Sequence, residues 1–306
     1  MAIYLGIDGG ATKTTCAVGD GKSVLGMATA GGSNVIRLGE ARAREGLHAA
    51  VRQACVAACV DPAQIECACV GASGAGRAEV SDLVARMMAE LVSCRVQVVG
   101  DTVIALQAAF GSGPGVVTCA GTGSFAYGRD GSGHNSRAGG WGFAVSDEGS
   151  GQWIGRTAVG AVLRAQENGE RPGLLAAIEK AWQATSLNDL VRMANASPPP
   201  DFSALFPLVL SAANSGDTVA RTVLTRAGTE LAELPRRVMR RLFSGAGSVP
   251  VAMVGGVFRQ SALVRQVFYN NLVAEFPNAT VNPTVVEPVL GALELARKAT
   301  AGQVAR

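Results

Sequence analysis

An α/β fold in two similarly built halves is what this sequence predicts, and three observations carry the prediction. Short apolar strands alternate with amphipathic helices along most of the chain. One arrangement, a strand, a glycine loop, a second strand and an Asp-Gly turn, occurs twice, beginning at Ile3 and again at Val116, with the turns at Asp20-Gly21 and Asp130-Gly131. The length of 306 residues suits about two domains of roughly 150 residues each. With 48% apolar and 17% charged residues the chain can bury a large core, which excludes a disordered or fibrous protein.

The elements follow in order. Strands are predicted at Ile3–Ile7, Thr14–Val18 and Val24–Ala28, the last two joined through Asp20-Gly21. A helix over Ala41–Val60 stops before Asp61-Pro62. Then come a strand (Glu66–Gly71), a helix (Glu79–Leu91), a strand (Val96–Val99) and a helix (Thr102–Phe110). Gly111-Ser112-Gly113-Pro114-Gly115 is the natural boundary, giving an N-terminal domain over 1–110 and a second over 111–288 with helical insertions. The second half opens with strands at Val116–Ala120 and Phe125–Gly128. It continues with helices at Gln152–Asn168, Leu174–Ala184 and Thr218–Phe243, the last with a kink expected at Pro235. Ser197-Pro198-Pro199-Pro200 reads as a rigid surface turn. A strand at Pro250–Val254 leads through Gly255-Gly256 into a helix reaching Phe276, then a short strand near Thr280 and a last helix at Val289–Ala299.

Charge and composition narrow the function classes. A net charge of +3 and a pI near 8.5 are too mild for a nucleic-acid surface, and 5% aromatics leave few stacking platforms. Arg236, Arg237, Arg240 and Arg241 read as a solvated helix face. No basic leader precedes the first strand and no uncharged apolar run reaches the roughly 18 residues of a membrane span, so a cytoplasmic protein is expected. All seven cysteines lie at or before Cys119, and the only histidines are His48 and His134. Cys55 and Cys59 are expected on one helix face, and Cys67 and Cys69 on one side of a strand. Zinc-ligand spacing is lacking, so reduced, buried thiols are expected.

Three loops have the composition of a nucleotide site. In Asp8-Gly9-Gly10-Ala11-Thr12-Lys13-Thr14 the glycines let backbone N–H groups approach phosphate oxygens, while hydroxyls and Lys13 add donors. Asp8 can hold Mg²⁺ through water. The loop is not a Walker A loop, because its spacing differs and a strand follows it; a plain hairpin turn is the alternative. Gly121-Thr122-Gly123-Ser124 takes the equivalent place in the second half, and Gly255-Gly256-Val257 ends a buried strand as a seat for a nucleoside or a simple strand–helix turn.

The succession Asp8-Gly9-Gly10…Lys13-Thr14, Gly100-Asp101, Gly121-Thr122-Gly123-Ser124, Gly139-Gly140-Trp141-Gly142…Asp147-Glu148-Gly149-Ser150 and Gly255-Gly256-Val257 resembles the acetate/sugar kinase, Hsp70 and actin superfamily. Within it the chain is similar to the N-acetylglucosamine kinase branch of the BadF/BadG/BcrA/BcrD ATPase family, over nearly its whole length. The resemblance implies two ribonuclease-H-like, actin-like ATPase domains around a hinged interdomain cleft, with the C-terminal helix (289–306) completing the first. It implies ATP and Mg²⁺ as cofactors and an amino sugar as substrate. Asp8 would position the metal; Gly10, Ala11, Thr12, Lys13, Thr122 and Gly123 would meet the phosphates; Gly255, Gly256 and Val257 would border the nucleoside. Asn34, Ser73, Asp101, Thr122, Trp141 and Asp147 would contact the sugar, with Asp101 as the general base that takes the hydroxyl proton.

Each of these residues has a plainer reading. Asp101 suits a helix N-cap, Asn34 an Asx turn, Trp141 core packing and Asp147 a solvated loop. Ser73 sits in Gly71-Ala72-Ser73-Gly74-Ala75, a near miss of a nucleophile elbow, and two histidines argue against a hydrolase triad. Other readings of the whole chain stay open: a kinase of glucosamine or N-acetylmuramic acid, a BadF-type ATPase activator, or a nucleotide-gated regulator without a sugar. The activator reading needs further cluster cysteines, and none follows Cys119. The cysteine-rich metal motif of ROK glucokinases is also missing. Nucleic acid and membrane are not expected as partners; a homodimer is an open expectation.

Overall fold

A computed structural model describes residues 2–245 and 247–304. The chain divides into two compact units, Met1–Gly113 with Val286–Arg306, and Pro114–Val285.

The first unit holds strands β1 (Ile3–Gly9), β2 (Lys13–Gly19), β3 (Val24–Gly31), β4 (Ile65–Ala72) and β5 (Arg95–Gly100), and helices α1 (Val35–Leu38), α2 (Glu40–Ala58), α3 (Ala78–Ala89) and α4 (Asp101–Phe110). The sheet order is β3-β2-β1-β4-β5, with the β1–β3 meander antiparallel and β1, β4 and β5 parallel. Alternation along β1 separates two cores. Ile3, Leu5 and Ile7 join the α2 and α3 side with Leu47, Val51 and Met87, whereas Tyr4 joins Ile104, Val289 and Leu293 on the other face.

That second face is covered by the C-terminal helix, Pro288–Val304, which returns to the first unit. The approach is tight enough to demand glycine on both sides. A Cβ on Gly6 would fall 2.3 Å from the Leu293 nitrogen, and one on Gly291 would fall 2.0 Å from the Ile104 carbonyl oxygen. Arg297 then donates to the Asp20 and Ser23 carbonyls at 2.7 and 2.8 Å, anchoring the helix at the β2–β3 turn.

The second unit repeats this order. Its strands β6 (Gly115–Ala120), β7 (Ser124–Arg129), β8 (Asn135–Gly139), β9 (Val249–Val254) and β10 (Ala279–Val281) are arranged β10-β9-β6-β7-β8, again an antiparallel meander beside parallel neighbours. Its helices are α5 (Gly151–Glu167), α6 (Gly173–Trp182), α7 (Leu187–Ala194), α8 (Phe206–Asn214), α9 (Thr218–Leu242), α10 (Gly256–Gln260) and α11 (Ala262–Glu275). The core packs α5, α8, α9 and α11 on β6, β7 and β9, with Ile154, Leu231, Phe258 and Phe268 fully or almost fully buried.

Several expectations need correction. Strand β8 escaped the sequence reading because Asn135-Ser136-Arg137 is polar and pairs only at a sheet edge. The short helices α1, α7 and α8 were also missed. The helix expected up to Phe276 is interrupted at Ser261, whose hydroxyl caps α11 by accepting from the Val264 amide. Cys59 lies beyond α2 in a left-handed cap and is exposed, so it shares no helix face with Cys55. The arginine cluster is exposed at Arg237, Arg240 and Arg241, as expected of a solvated face, but it also carries ion pairs. Arg236 pairs with Glu233 and Glu275, Arg240 with Glu275, and Arg241 donates to the Arg137 carbonyl at 2.9 Å, fastening α9 to α11 and β8.

Substitution tests the glycine contacts. Gly6→Ala or Gly291→Ala should destabilise the protein by about 1–3 kcal/mol through overpacking, whereas Gly21→Ala, which meets nothing within 4 Å, should stay within about 0.5 kcal/mol. Denaturant unfolding of the three variants measures the difference.

Candidate functional site

The predicted site residues of the first unit gather at one sheet edge. Register aligns Asp8 with Gly71, Gly9 with Ala72, and Ala72 with Gly100, so Asp8, Ser73 and Asp101 all emerge at the carboxyl ends of β1, β4 and β5. In open sheets with parallel strands this is the edge where ligands bind. Between β1 and β2 the chain reverses tightly, with the Gly10 amide donating to the Lys13 carbonyl at 3.0 Å. A Cβ on Gly10 would lie 2.8 Å from that same oxygen. Ala11, Thr12 and Lys13 form the tip, and Thr12 and Lys13 are exposed.

Asn34 caps α1, its Oδ1 accepting from the Arg37 amide at 3.1 Å. The Asx reading is therefore correct for one end of the side chain, and the amide end retains two donors. Ser73 is half-buried in the turn after β4, where a Cβ on Gly74 would meet Ile36 Cδ1 at 2.6 Å, so the Asn34 and Ser73 segments touch. Asp101 is not the N-cap of α4. Gly100 holds that place, and Asp101 is the first helical residue, its Oδ1 accepting from the Thr102 amide at 2.9 Å.

The remaining residues belong to the second unit. The Gly121 amide donates to the Gly123 carbonyl at 2.9 Å. The Gly121 and Thr122 carbonyls in turn accept from the Gly151 and Gln152 amides at 2.8 and 3.3 Å, which ties the loop to the start of α5. The Gly255-Gly256 turn lies beside it. Gly255 has φ +104° and its Cβ would fall 2.4 Å from the Ala120 carbonyl oxygen, so the nucleoside and phosphate candidates share the carboxyl edge of β6 and β9. Val257 departs from expectation: its side chain is 1% exposed and packs in the core, leaving only its backbone for a ligand.

Asp147 is not in a solvated loop. It is 8% exposed, adopts a left-handed φ of 67°, and accepts from the Ser124 and Gly142 amides. A Cβ on Gly123 would come 2.8 Å from its Oδ2. The carboxylate thus braces the back of the glycine loop against the Gly139–Ser150 segment. Burial pushes its pKa up, and neighbouring Glu148 adds to this, against the two amides and Arg137. Trp141, on the same segment, is 75% exposed and so takes no part in the core of its unit.

The donors suit the implied cofactors. Among the described residues no three His, Cys, Asp or Glu side chains cluster as a metal cage. Mg²⁺ ordinarily relies on one or two carboxylates, water and phosphate oxygens, and Asp8 at a strand end offers such a ligand. Neither Gly10 nor Gly123 has room for a side chain, since a Cβ would meet the Lys13 carbonyl oxygen or Asp147 Oδ2 at 2.8 Å.

The sequence signature of the BadF/BadG/BcrA/BcrD ATPase family spans residues 5–296. The chain belongs to that family. It is 29% identical to an N-acetyl-D-glucosamine kinase of Dictyostelium discoideum, over 96% of this chain and 97% of that protein. It is 28% identical to an N-acetylmuramic acid/N-acetylglucosamine kinase of Clostridium acetobutylicum, over 97% of this chain and 99% of that one. A solved structure from Chromobacterium violaceum, provisionally named an N-acetylglucosamine kinase, superposes with a TM-score of 0.74 at 24% identity, covering 97% of this chain and 99% of the other. At that identity the likeness speaks for the fold, the two-domain α/β architecture of actin-like ATPases. No described helix is long and apolar enough to cross a membrane.

The buried carboxylate gives a pH prediction. Because the folded pKa of Asp147 is raised, its contribution to stability is full below the ordinary carboxylate range and is lost as pH rises through the folded value. The stability of the wild type relative to Asp147→Asn should therefore fall with rising pH. A flat or rising difference in urea unfolding across a pH series would refute this assignment.

Proposed function

We propose that the protein transfers the γ-phosphoryl group of ATP to a hydroxyl of an amino sugar, with N-acetylglucosamine and its 6-hydroxyl as the first choice. The observation that carries the reading is the convergence of Asp8, Ser73 and Asp101 on one sheet edge, beside a glycine hairpin suited to phosphate. Membership of an ATPase family and the names of two full-length relatives support it.

Phosphoryl transfer asks the protein for positioning and charge neutralisation more than for covalent chemistry. In this reading the amides and hydroxyls of Ala11, Thr12, Thr122 and Gly123 and the Lys13 ammonium hold phosphate oxygens, while Gly10, its amide closed on the Lys13 carbonyl, shapes the hairpin that presents them. Gly255, Gly256 and the Val257 backbone border the nucleoside. Asp8 holds Mg²⁺ through water, and the ion supplies charge neutralisation at the phosphates. Asn34, Ser73, Thr122, Trp141 and Asp147 contribute to the sugar site, Asp147 chiefly by bracing the Thr122–Gly123 loop. Asp101, held at the start of α4 with Oδ1 accepting from the Thr102 amide, takes the proton from the attacking hydroxyl. The donor ATP becomes ADP and the sugar hydroxyl becomes a phosphate ester. One relative's name joins N-acetylmuramic acid to N-acetylglucosamine, so a kinase accepting a bulkier substituent is the second reading.

Two measurements test this. ADP release should be stimulated at least tenfold by N-acetylglucosamine or N-acetylmuramic acid over glucose, glucosamine, N-acetylmannosamine and no sugar; a no-sugar rate equal to the best would leave an ATPase instead. Asp101→Asn keeps an oxygen for the Thr102 amide, so it should fold normally yet lose about 10²–10⁴ in kcat. Near-wild-type turnover would remove Asp101 as the base.

A further inference from the structure

The phosphate hairpin and the Asn34 turn are locked together by contacts that neither motif requires alone. The Thr14 hydroxyl, wholly buried, donates to Ser33 Oγ at 2.8 Å, and Ser33 is itself 7% exposed. The Ser33 amide donates to the Gly10 carbonyl at 3.0 Å. Two backbone approaches complete the junction: a Cβ on Gly32 would lie 2.2 Å from the Ala11 carbonyl oxygen, and one on Gly9 would lie 2.8 Å from Ser33 Oγ. The turn rests in turn on α2, where a Cβ on Gly46 would come 2.3 Å from the Gly32 carbonyl oxygen.

Folding alone does not call for a hydroxyl at position 14. Valine has nearly the same shape as threonine, and a buried hydroxyl is worth its desolvation only where it finds a partner. Here the partner is the residue directly before Asn34, and the chain that carries the donor is the first residue after the hairpin tip. A shift of the pair would move the Gly10–Lys13 tip and the Asn34 cap in concert.

We propose that the Thr14–Ser33 pair is a positioning device that sets the phosphate hairpin and the acceptor turn as one piece, so that ATP and acceptor sites are aligned together. This rests on the kinase reading above. Neither side chain is a catalytic residue; both act through the segments they join. Small misplacements of reacting groups are costly in rate, since transfer needs both partners within attack distance.

The test is a kinetic set: wild type, Thr14→Val, Ser33→Ala, the double variant and Thr14→Ser, each with N-acetylglucosamine and ATP varied in turn. Thr14→Val and Ser33→Ala should each raise the KM for ATP and for the sugar together by roughly 5- to 20-fold. The double variant should be no worse than the worse single one, as expected for two groups in one contact, and Thr14→Ser should return both constants to within about twofold of wild type. Ser33→Ala lies in a turn and guards against a folding defect in the strand variant. A lowered Tm with both KM values unchanged, a change in one KM only, or effects that multiply in the double variant would overturn the proposal. A wild type without sugar-stimulated ADP release would instead remove the kinase reading, and this inference with it.

Discussion

Backbone passing backbone at distances that exclude a Cβ is the constraint on which the rest of this structure depends. The C-terminal helix can lie on β1 and α4 only because Gly6 and Gly291 present no side chain, and the Gly255 turn can lie on the start of the Gly121 loop for the same reason. The second of these contacts brings main chain against main chain at the carboxyl ends of β6 and β9. Main-chain amides are fixed donors that need no reorganisation to meet an anion, which suits a site built for phosphate.

Carboxylates at these edges have been given different environments, and environment sets what each can do. Asp101 begins a helix, half-buried, with one oxygen held by a neighbouring amide. Asp147 is buried, its ionised form penalised by desolvation and partly compensated by two amides and Arg137. The second arrangement suits a brace behind the Gly123 loop. The same residue type thus meets different surroundings at the two places, because burial and hydrogen bonding differ.

Much of the fold was legible because the strands are short, apolar and bounded by Asp-Gly or Gly-Gly turns, and the repeated strand–loop–strand pattern declared the duplication. β8 was not legible, since an edge strand needs no apolar alternation, and α7 and α8 lie in a stretch where prolines obscure the helical period. The motifs located Asp8, Asn34, Ser73 and Asp101 on their loops but said little of their partners. Val257 looked like part of a nucleoside turn and is a core residue, since the helix it opens rolls its side chain inward. The arginine cluster is largely exposed, but its pairing with Glu275 was not legible because that acid sits on another helix, more than thirty positions away.

Local sequence was sufficient to determine what depends on near neighbours: strand and helix type, the turn chemistry of each glycine loop, and the presence of an aspartate at the end of β1 and another directly after β5. Tertiary structure decided what depends on long-range contact, namely that β1, β4 and β5 align their ends in register, that the C-terminal helix belongs with the first unit, and that Asp147 is buried behind Gly123. The physical reason is that local preference is read from backbone sterics and periodicity, whereas burial and charge pairing are properties of segments that meet only after the chain has folded.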